Sequence, residues 1–328
     1  MKVMAITGAS GGIGRATALA FAKQGAAIGL IARNKAALEE VKADVESAGG
    51  KALVLPYDVS EDGALEAAAQ TIEETLGPLD IWINSAMVTV FGKVEDISGE
   101  EYRRVTDVTY HGAVLGTMAA LKRMKSRNRG HIIQIGSALS YRSIPLQSAY
   151  CGAKHAIRGF TDSLRSELIH EKSAIELSMI QLPAFNTPQF TWARLHIDKQ
   201  PQSLPPIHDP NLAAEVVVWT AEHPQREVWV GWPTWQAVLG QKIFPSLLDR
   251  FMAKKAWSGQ LTDQTPAPDR PDNLFTPADK GYAVKGPLTD KEVREKPKLW
   301  QVSNQNFWIN SAGFGLIILG FVLGLWLG

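Results

Sequence analysis

A chain of 328 residues, 45% hydrophobic and 20% charged, is long enough for one large core with material left over, and its composition excludes a wholly disordered protein. Thirty-four basic residues against 33 acidic give a net charge of +1, which argues against nucleic acid or an acidic macromolecule as partner. The single cysteine, Cys151, excludes an internal disulfide and a cysteine-clustered metal site, and no metal is expected.

Lys2 to Thr7 is a short apolar run that reads as a strand. It is too short for a signal peptide, so folding is expected to begin at the first residues. Gly8-Ala9-Ser10-Gly11-Gly12-Ile13-Gly14 follows, then an alanine-rich helical stretch from Arg15 to Gln24 closed by Gly25. Strand, glycine loop and helix in that order is the setting in which a glycine cluster binds phosphate. Glycine lets the backbone approach a pyrophosphate, and the helix start offers free N–H groups and a positive dipole end. Alone, such a cluster also suits a tight turn. The next strand, Ala27 to Ala32, ends in Arg33-Asn34. An acidic residue near this point would hold a ribose 2′-hydroxyl, whereas an arginine accommodates a 2′-phosphate. No carboxylate appears before Glu39, so Arg33 favours NADP over NAD; its other reading is an exposed cation at a helix start.

Helix Lys35 to Ala48 leads through Gly49-Gly50 to strand Ala52 to Leu55, and Asp58 and Val59 lie just past that strand's carboxyl end, where ligands bind in open α/β sheets. Ser60 is expected to cap a helix running from Glu61 to Leu76. Leu79 to Ile83 is a fourth strand, ending in Asn84-Ser85-Ala86. Alternation of strands and helices at these lengths predicts a doubly wound parallel sheet. A long mixed helix from Gly99 to Lys125 precedes strand His131 to Gly136, with His131 expected at the surface. That strand delivers Ser137. Tyr150 and Lys154 are four apart at the start of a helix reading from Cys151 to Leu168, so their side chains share a face. A cation near a phenol favours its ionised form and makes it usable as an acid/base nearer neutrality, and Ser137 adds a hydroxyl able to orient a carbonyl. Taken alone the pair also fits a solvated helix face. Strand Ile175 to Gln181 ends at Pro183-Ala184-Phe185-Asn186-Thr187-Pro188.

Thr7-Gly8-x-x-x-Gly12-x-Gly14, Asp58-Val59, Asn84-x-Ala86, Ser137, Tyr150-x-x-x-Lys154 and Pro183-x-x-x-Thr187, in this order and spacing, resemble the short-chain dehydrogenase/reductase family over roughly residues 1 to 232. The resemblance implies a Rossmann-type fold, a nicotinamide cofactor and hydride transfer between that cofactor and an alcohol or carbonyl. It further implies that Tyr150 is the general acid in reduction and the base in oxidation, that Lys154 holds the nicotinamide ribose and depresses the Tyr150 pKa, and that Ser137 binds the substrate oxygen. Asp58 would contact the adenine, Val59 would belong to the cofactor site, Asn84 would stand near the ribose and Thr187 would bind the carboxamide. Gly8, Ser10, Gly12, Ile13 and Gly14 would form the phosphate turn. Three positions depart from the family pattern. Met87 is bulky where a glycine is usual, Ala184 follows Pro183 where glycine is usual, and Thr109 aligns with an asparagine of the family's proton relay. Thr109 is expected to serve that relay if the backbone carbonyl alone binds the relay water.

After Thr187, the proline-rich stretch to Pro210 is expected to form a substrate lid, with Phe190, Trp192 and Leu195 fitting either an apolar substrate wall or plain packing. Asn211 to Glu222 reads as a helix and Glu227 to Gly231 as the last strand. The catalytic domain is thus expected over 1–235. Residues 236–257 form an apolar, basic-ended helical extension broken at Pro245, suited to a membrane surface or to packing on the core or a partner subunit. Residues 258–306 read as a polar, extended linker. The sequence from Gln301 to Gly328 carries no charge, and eighteen helical residues span ~27 Å against a hydrocarbon core of about 30 Å, so 307–328 is expected to be a transmembrane anchor; a buried C-terminal helix is the other reading. Lys291, Arg294, Lys296 and Lys298 precede it and place the catalytic domain on the cytoplasmic side.

The function expected is that of a membrane-anchored oxidoreductase using NADP(H) on a small apolar alcohol or ketone, as a homo-oligomer by analogy with the family. The alternatives are an NADP-binding membrane scaffold with little turnover and, from the shared Tyr-Lys pair, a sugar-nucleotide epimerase, against which the glycine spacing argues.

Overall fold

A computed structural model describes residues 1–288, 293–294 and 303–304. The chain runs β1 (Val3–Thr7), α1 (Gly12–Ala22), β2 (Ala27–Ile31), α2 (Lys35–Ser47), β3 (Lys51–Leu55), α3 (Ala64–Leu76) and β4 (Ile81–Asn84). There follow β5 (Val90–Phe91), α4 (Gly99–Thr106), α5 (Gly112–Lys125), β6 (Gly130–Ile135), α6 (Ser148–His170), β7 (Ile175–Gln181), α7 (Gln189–Trp192) and β8 (Arg194–Leu195). The last part holds β9 (Ile207–His208), α8 (Pro210–Glu222), β10 (Glu227–Trp229), α9 (Gly231–Ile243), α10 (Pro245–Phe251), α11 (Trp257–Gly259) and the two-residue strands β11 (Val293–Arg294) and β12 (Ser303–Asn304).

Seven strands pair in parallel in the order β3-β2-β1-β4-β6-β7-β10, and β12 adds an antiparallel edge to β10. Every residue of β1, β2 and β4 is buried, as strands covered on both faces must be, and their near-continuous apolar runs are the cause. Within β1 the side chains alternate between two cores. Val3 and Ala5 join Trp82, Leu65, Ile72 and Leu164 on one face, and Met4 and Ile6 join Phe21, Leu38, Val41 and Val217 on the other. This is the doubly wound Rossmann-type sheet, with the order reversing between β1 and β4. At that switch point the loops after the two strands meet. Gly8 has φ +71°, and a Cβ there would lie 2.9 Å from the Ala86 Cα, so only glycine lets the loops touch. The Thr7 hydroxyl ties them by accepting from the Ser85 and Ala86 N–H groups at 3.0 and 3.1 Å.

The structure corrects several expectations. The long helix from Gly99 to Lys125 is two helices joined by a π turn over Asp107–His111. His131 is buried rather than at the surface, its Nε2 lying 2.8 Å from the Ser178 Oγ in the adjacent strand. The described part of the expected linker, through residue 288, folds back on the core, and Leu274 is fully buried. Among the described residues no helix is long and apolar enough to cross a membrane; the expected anchor at 307–328 lies outside them.

Candidate active site

The Ser137 to Lys154 stretch runs from the carboxyl end of β6 into α6. Ser137 is the cap of a short 3-10 turn: its Oγ accepts from the Leu139 N–H at 3.1 Å, and its own N–H donates to the Gln181 Oε1 at 2.9 Å. Gln181 is in turn held by Glu227, its Nε2 donating to the Glu227 Oε1 at 2.6 Å, so a polar brace from β7 and β10 fixes the serine. The sequence signal for that brace is a glutamine closing an otherwise apolar buried strand. Lys154 is buried; its Nζ donates to the Ile135 carbonyl at 2.7 Å and lies 5.6 Å from the centre of the Tyr150 ring.

Electrostatically the pair differs from expectation. Burial pushes the Tyr150 phenol up, a hydrogen bond with Ser137 opposes this, and burial brings the Lys154 ammonium down to about 8. Exclusion of water is therefore the dominant influence on both groups, and the phenol is held as an O–H. Such a group is a proton donor beside the Ser137 hydroxyl, the equipment needed to protonate a carbonyl oxygen as negative charge develops on it.

Tyr150, Lys154 and Ser137 form the floor of a cavity of about 750 Å³ that extends along the carboxyl edge of the sheet. The same cavity is lined by Gly8, Ser10, Gly12, Ile13 and Gly14, and further along by Arg33, Asp58, Val59 and Thr187. A Cβ at Gly14 would fall 2.1 Å from the Gly8 carbonyl oxygen, so the loop is wound tightly against the start of α1. These residues fit a nicotinamide dinucleotide: the glycine turn would hold the pyrophosphate, Lys154 the ribose near Tyr150, and Thr187 the carboxamide. Bound there, the dinucleotide supplies or accepts a hydride, and the chain's own groups supply the proton and the orientation.

Two expected residues are not brought to the cavity. The Asn84 side chain is spent inside the fold: its Oδ1 accepts from the Trp82 Nε1 at 2.7 Å and its Nδ2 donates to the Ala113 carbonyl and the Thr117 Oγ1 at 3.2 and 3.0 Å. Its amide braces β4 against α5. The Thr109 hydroxyl, fully buried in the π turn, bonds the Val88 backbone N–H and carbonyl, both at 3.3 Å, and steadies the loop after β4. The Thr109 hydroxyl is thereby committed to bracing, whereas the relay was expected through its backbone carbonyl and not through this group. Met87, by contrast, does line the cavity. Phe190 and Trp192 line it too, whereas Leu195 packs in β8 against β5.

Two features had no forecast from sequence. Arg104 from α4 pairs with the Asp58 carboxylate and donates to the Ser60 Oγ at 2.7 Å, holding the Asp58 pKa below its usual value against the cost of burial. The segment 270–288 crosses the outer edge of the cavity as a strap. The Arg33 guanidinium donates to the carbonyls of Asn273, Leu274 and Phe275, the Asn34 Nδ2 to Ala278, and the Gly12 N–H to Ala283 at 2.8 Å. Tyr282 lies against Trp192 with ring centres 5.0 Å apart, and Asn273, Pro277 and Tyr282 line the cavity. The signal was present as isolated Leu274, Phe275 and Tyr282 in a polar stretch.

Comparison with known proteins agrees with this geometry. The short chain dehydrogenase family model matches residues 2–196. An uncharacterized oxidoreductase, YxnA, of Bacillus subtilis is 34% identical over 278 residues, covering 84% of this chain and 78% of its own. Dehydrogenase/reductase SDR family member 7B of Rattus norvegicus is 38% identical over 184 residues, and the match spans 56% of that protein. Among solved structures, an alcohol dehydrogenase from Thermococcus sibiricus complexed with 5-hydroxy-NADP superposes with a TM-score of 0.59 at 25% identity, covering 70% of this chain and 96% of that one. An NAD+-bound xylitol dehydrogenase gives 0.54 at 30% identity over 56% and 70% of the two chains. The chain belongs to the short-chain dehydrogenase/reductase family and is an NAD(P)-dependent oxidoreductase.

Proposed function

We propose that this oxidoreductase is held at a membrane by its C-terminal apolar segment and interconverts an apolar ketone and alcohol with NADP(H). The observation that carries the substrate class is the wall of the cavity: beyond Ser137 and Tyr150 it includes Phe185, Phe190, Trp192, Leu204 and Met252, while the Arg142 and Gln147 side chains that also border it are bonded to Gln241, Asp249 and Gln260. Arg33 at the end of β2, without a carboxylate to receive a ribose 2′-hydroxyl, supports the choice of NADP. The uncharged stretch from Gln301 to Gly328 supports the anchor.

Purified full-length protein given NADPH and a panel of hydrophobic ketones is expected to oxidise the cofactor, and Tyr150→Phe to lower kcat by about two to four orders of magnitude, the usual worth of a positioned proton donor. Full activity in that variant would overturn the mechanism. The alternative, a dinucleotide-binding membrane scaffold, draws on the strap, whose carbonyls already engage Gly12 and Arg33. It predicts cofactor binding without turnover across the panel, and the presence of Ser137, Tyr150 and Lys154 around one cavity argues for the enzyme.

A further inference from the structure

The helices after β10 build one wall of the cavity and leave their outer side uncovered by any described residue. Gln236, Ala237, Leu248, Met252 and Ala256 face the cavity. From the same elements Trp232, Ile243, Phe244, Leu247 and Phe251 are each more than half exposed, and Leu239 and Trp257 more than a third. Seven of the twelve exposed large hydrophobic residues of the described chain thus fall between 232 and 257, a concentration of the kind that marks an interaction surface. Leu239 with Ile243, and Leu247 with Phe251, are spaced four apart and share a helix side. Phe251 belongs to both sets, lining the cavity and lying half in solvent, which puts the cavity mouth within the apolar patch.

The charges on these elements are one-sided. Lys242, Arg250, Lys254 and Lys255 are exposed and make no ion pair with the described residues, while the one carboxylate, Asp249, is bonded by Arg142 at 2.8 Å. Tryptophans at both ends, aliphatic and phenyl side chains between them and unpaired cations around them match the chemistry of an anionic lipid surface, where rings sit at headgroup level and ammonium groups meet phosphates. A second copy of the chain would bring the same cations face to face. The apolar C-terminal stretch lies beyond this face in the chain and would keep the protein within reach of a bilayer.

We propose that the face formed by residues 231–259 seats on an anionic lipid bilayer, so that the cavity mouth at Phe251 opens into the acyl region and an apolar substrate passes from lipid to Tyr150 without crossing water. The substrate half of this statement rests on the apolar-ketone reading above; the seating does not.

The test uses the full-length chain reconstituted in vesicles of phosphatidylcholine and phosphatidylglycerol. Cys151 is buried, so a thiol-reactive fluorophore goes to an introduced cysteine. Leu247→Cys samples the face, and Ile169→Cys samples an exposed site at the opposite edge of the sheet, near the end of α6. Brominated lipids are expected to quench the probe at 247 strongly and at 169 hardly at all. Equal quenching at the two sites, or none at 247, overturns the seating, whether water, a second copy or the C-terminal stretch then covers the face. A second variant pair, Ile243→Glu and Leu247→Glu, alters the face but not the cavity lining. It is expected to raise the KM for a lipid-partitioned ketone by about tenfold in vesicles, following the loss of interfacial burial, and to leave the KM for a small water-soluble carbonyl unchanged. Quenching needs no turnover. An inactive protein that is quenched at 247 therefore refutes the ketone reading and keeps the seating, and an active one that is not quenched does the reverse.

Discussion

Arg33 stands at the meeting point of the cofactor cleft and the strap, and its guanidinium is already ringed by backbone carbonyls of Asn273, Leu274 and Phe275. Removing it is expected to act twice. In Arg33→Ala the ratio of kcat/KM for NADPH to that for NADH should fall by about ten- to a hundredfold, the scale of one charge-assisted phosphate contact, while NADH turnover changes little. A ratio that does not move would show that Arg33 serves the strap alone. His131 gives a second residue-level prediction, on stability. Burial lowers its pKa to about 4, below the usual value near 6.5, so the folded protein keeps it neutral where the unfolded chain takes up a proton. Its contribution is fully present above pH 6.5 and is lost as pH falls from there toward 4, amounting to about 2 kcal/mol by pH 5. Urea unfolding at pH 7 and pH 5 should show His131→Gln less stable than the parent at pH 7 but less sensitive to the change, the difference between the two proteins isolating the histidine from the carboxylates they share.

The strap is the element that changes most how the site is understood. Leu274 anchors it in the core, and carbonyl oxygens on either side occupy N–H donors of the kind that phosphate oxygens use, including the Gly12 N–H at the start of α1. Leu274→Ala removes the anchor, and trypsin is expected to cut after Arg270 or Lys280 about ten times faster or more, given a few kcal/mol lost from a local docking. The same substitution should tighten NADPH binding, measured by fluorescence titration, because fewer strap carbonyls compete for Gly12 and Arg33. Weaker binding would mean that the strap holds the dinucleotide down instead. The π turn at Asp107–His111 is the other element whose role is local: it turns the Thr109 hydroxyl onto Val88 and so shapes the loop that carries Met87 into the cavity.

For the whole molecule, the decisive feature is that one cavity runs from the glycine turn past Tyr150 to the uncovered face at Phe251. An apolar wall of that extent predicts selection by length. Along a series of straight-chain ketones, kcat/KM should rise by about three- to fourfold per methylene until the wall is filled, following ~0.8 kcal/mol for each buried CH₂. A flat profile would remove the argument for an apolar substrate.

The sheet, the glycine turn and the positions of Ser137, Tyr150 and Lys154 were legible in the chain itself. Each depends on local signals: apolar runs of strand length, glycines where the backbone must turn, and a four-residue spacing on a helix. The phenol's protonation, the fate of Asn84 and Thr109, the burial of His131 and the return of residues 270–288 over Arg33 were not legible, because each depends on partners far away in sequence. Asn84 and Thr109 sit at the expected positions, yet Trp82, Thr117 and Val88 claim their polar atoms. Lys154 stands one turn from Tyr150 as its spacing requires, but only the packed core decides how much water reaches either group, and burial is the largest influence on the protonation of both. Sequence alone determined which groups could do chemistry here; tertiary structure decided which of them remain free to do it, since a polar atom buried in a fold takes the nearest partner it can reach.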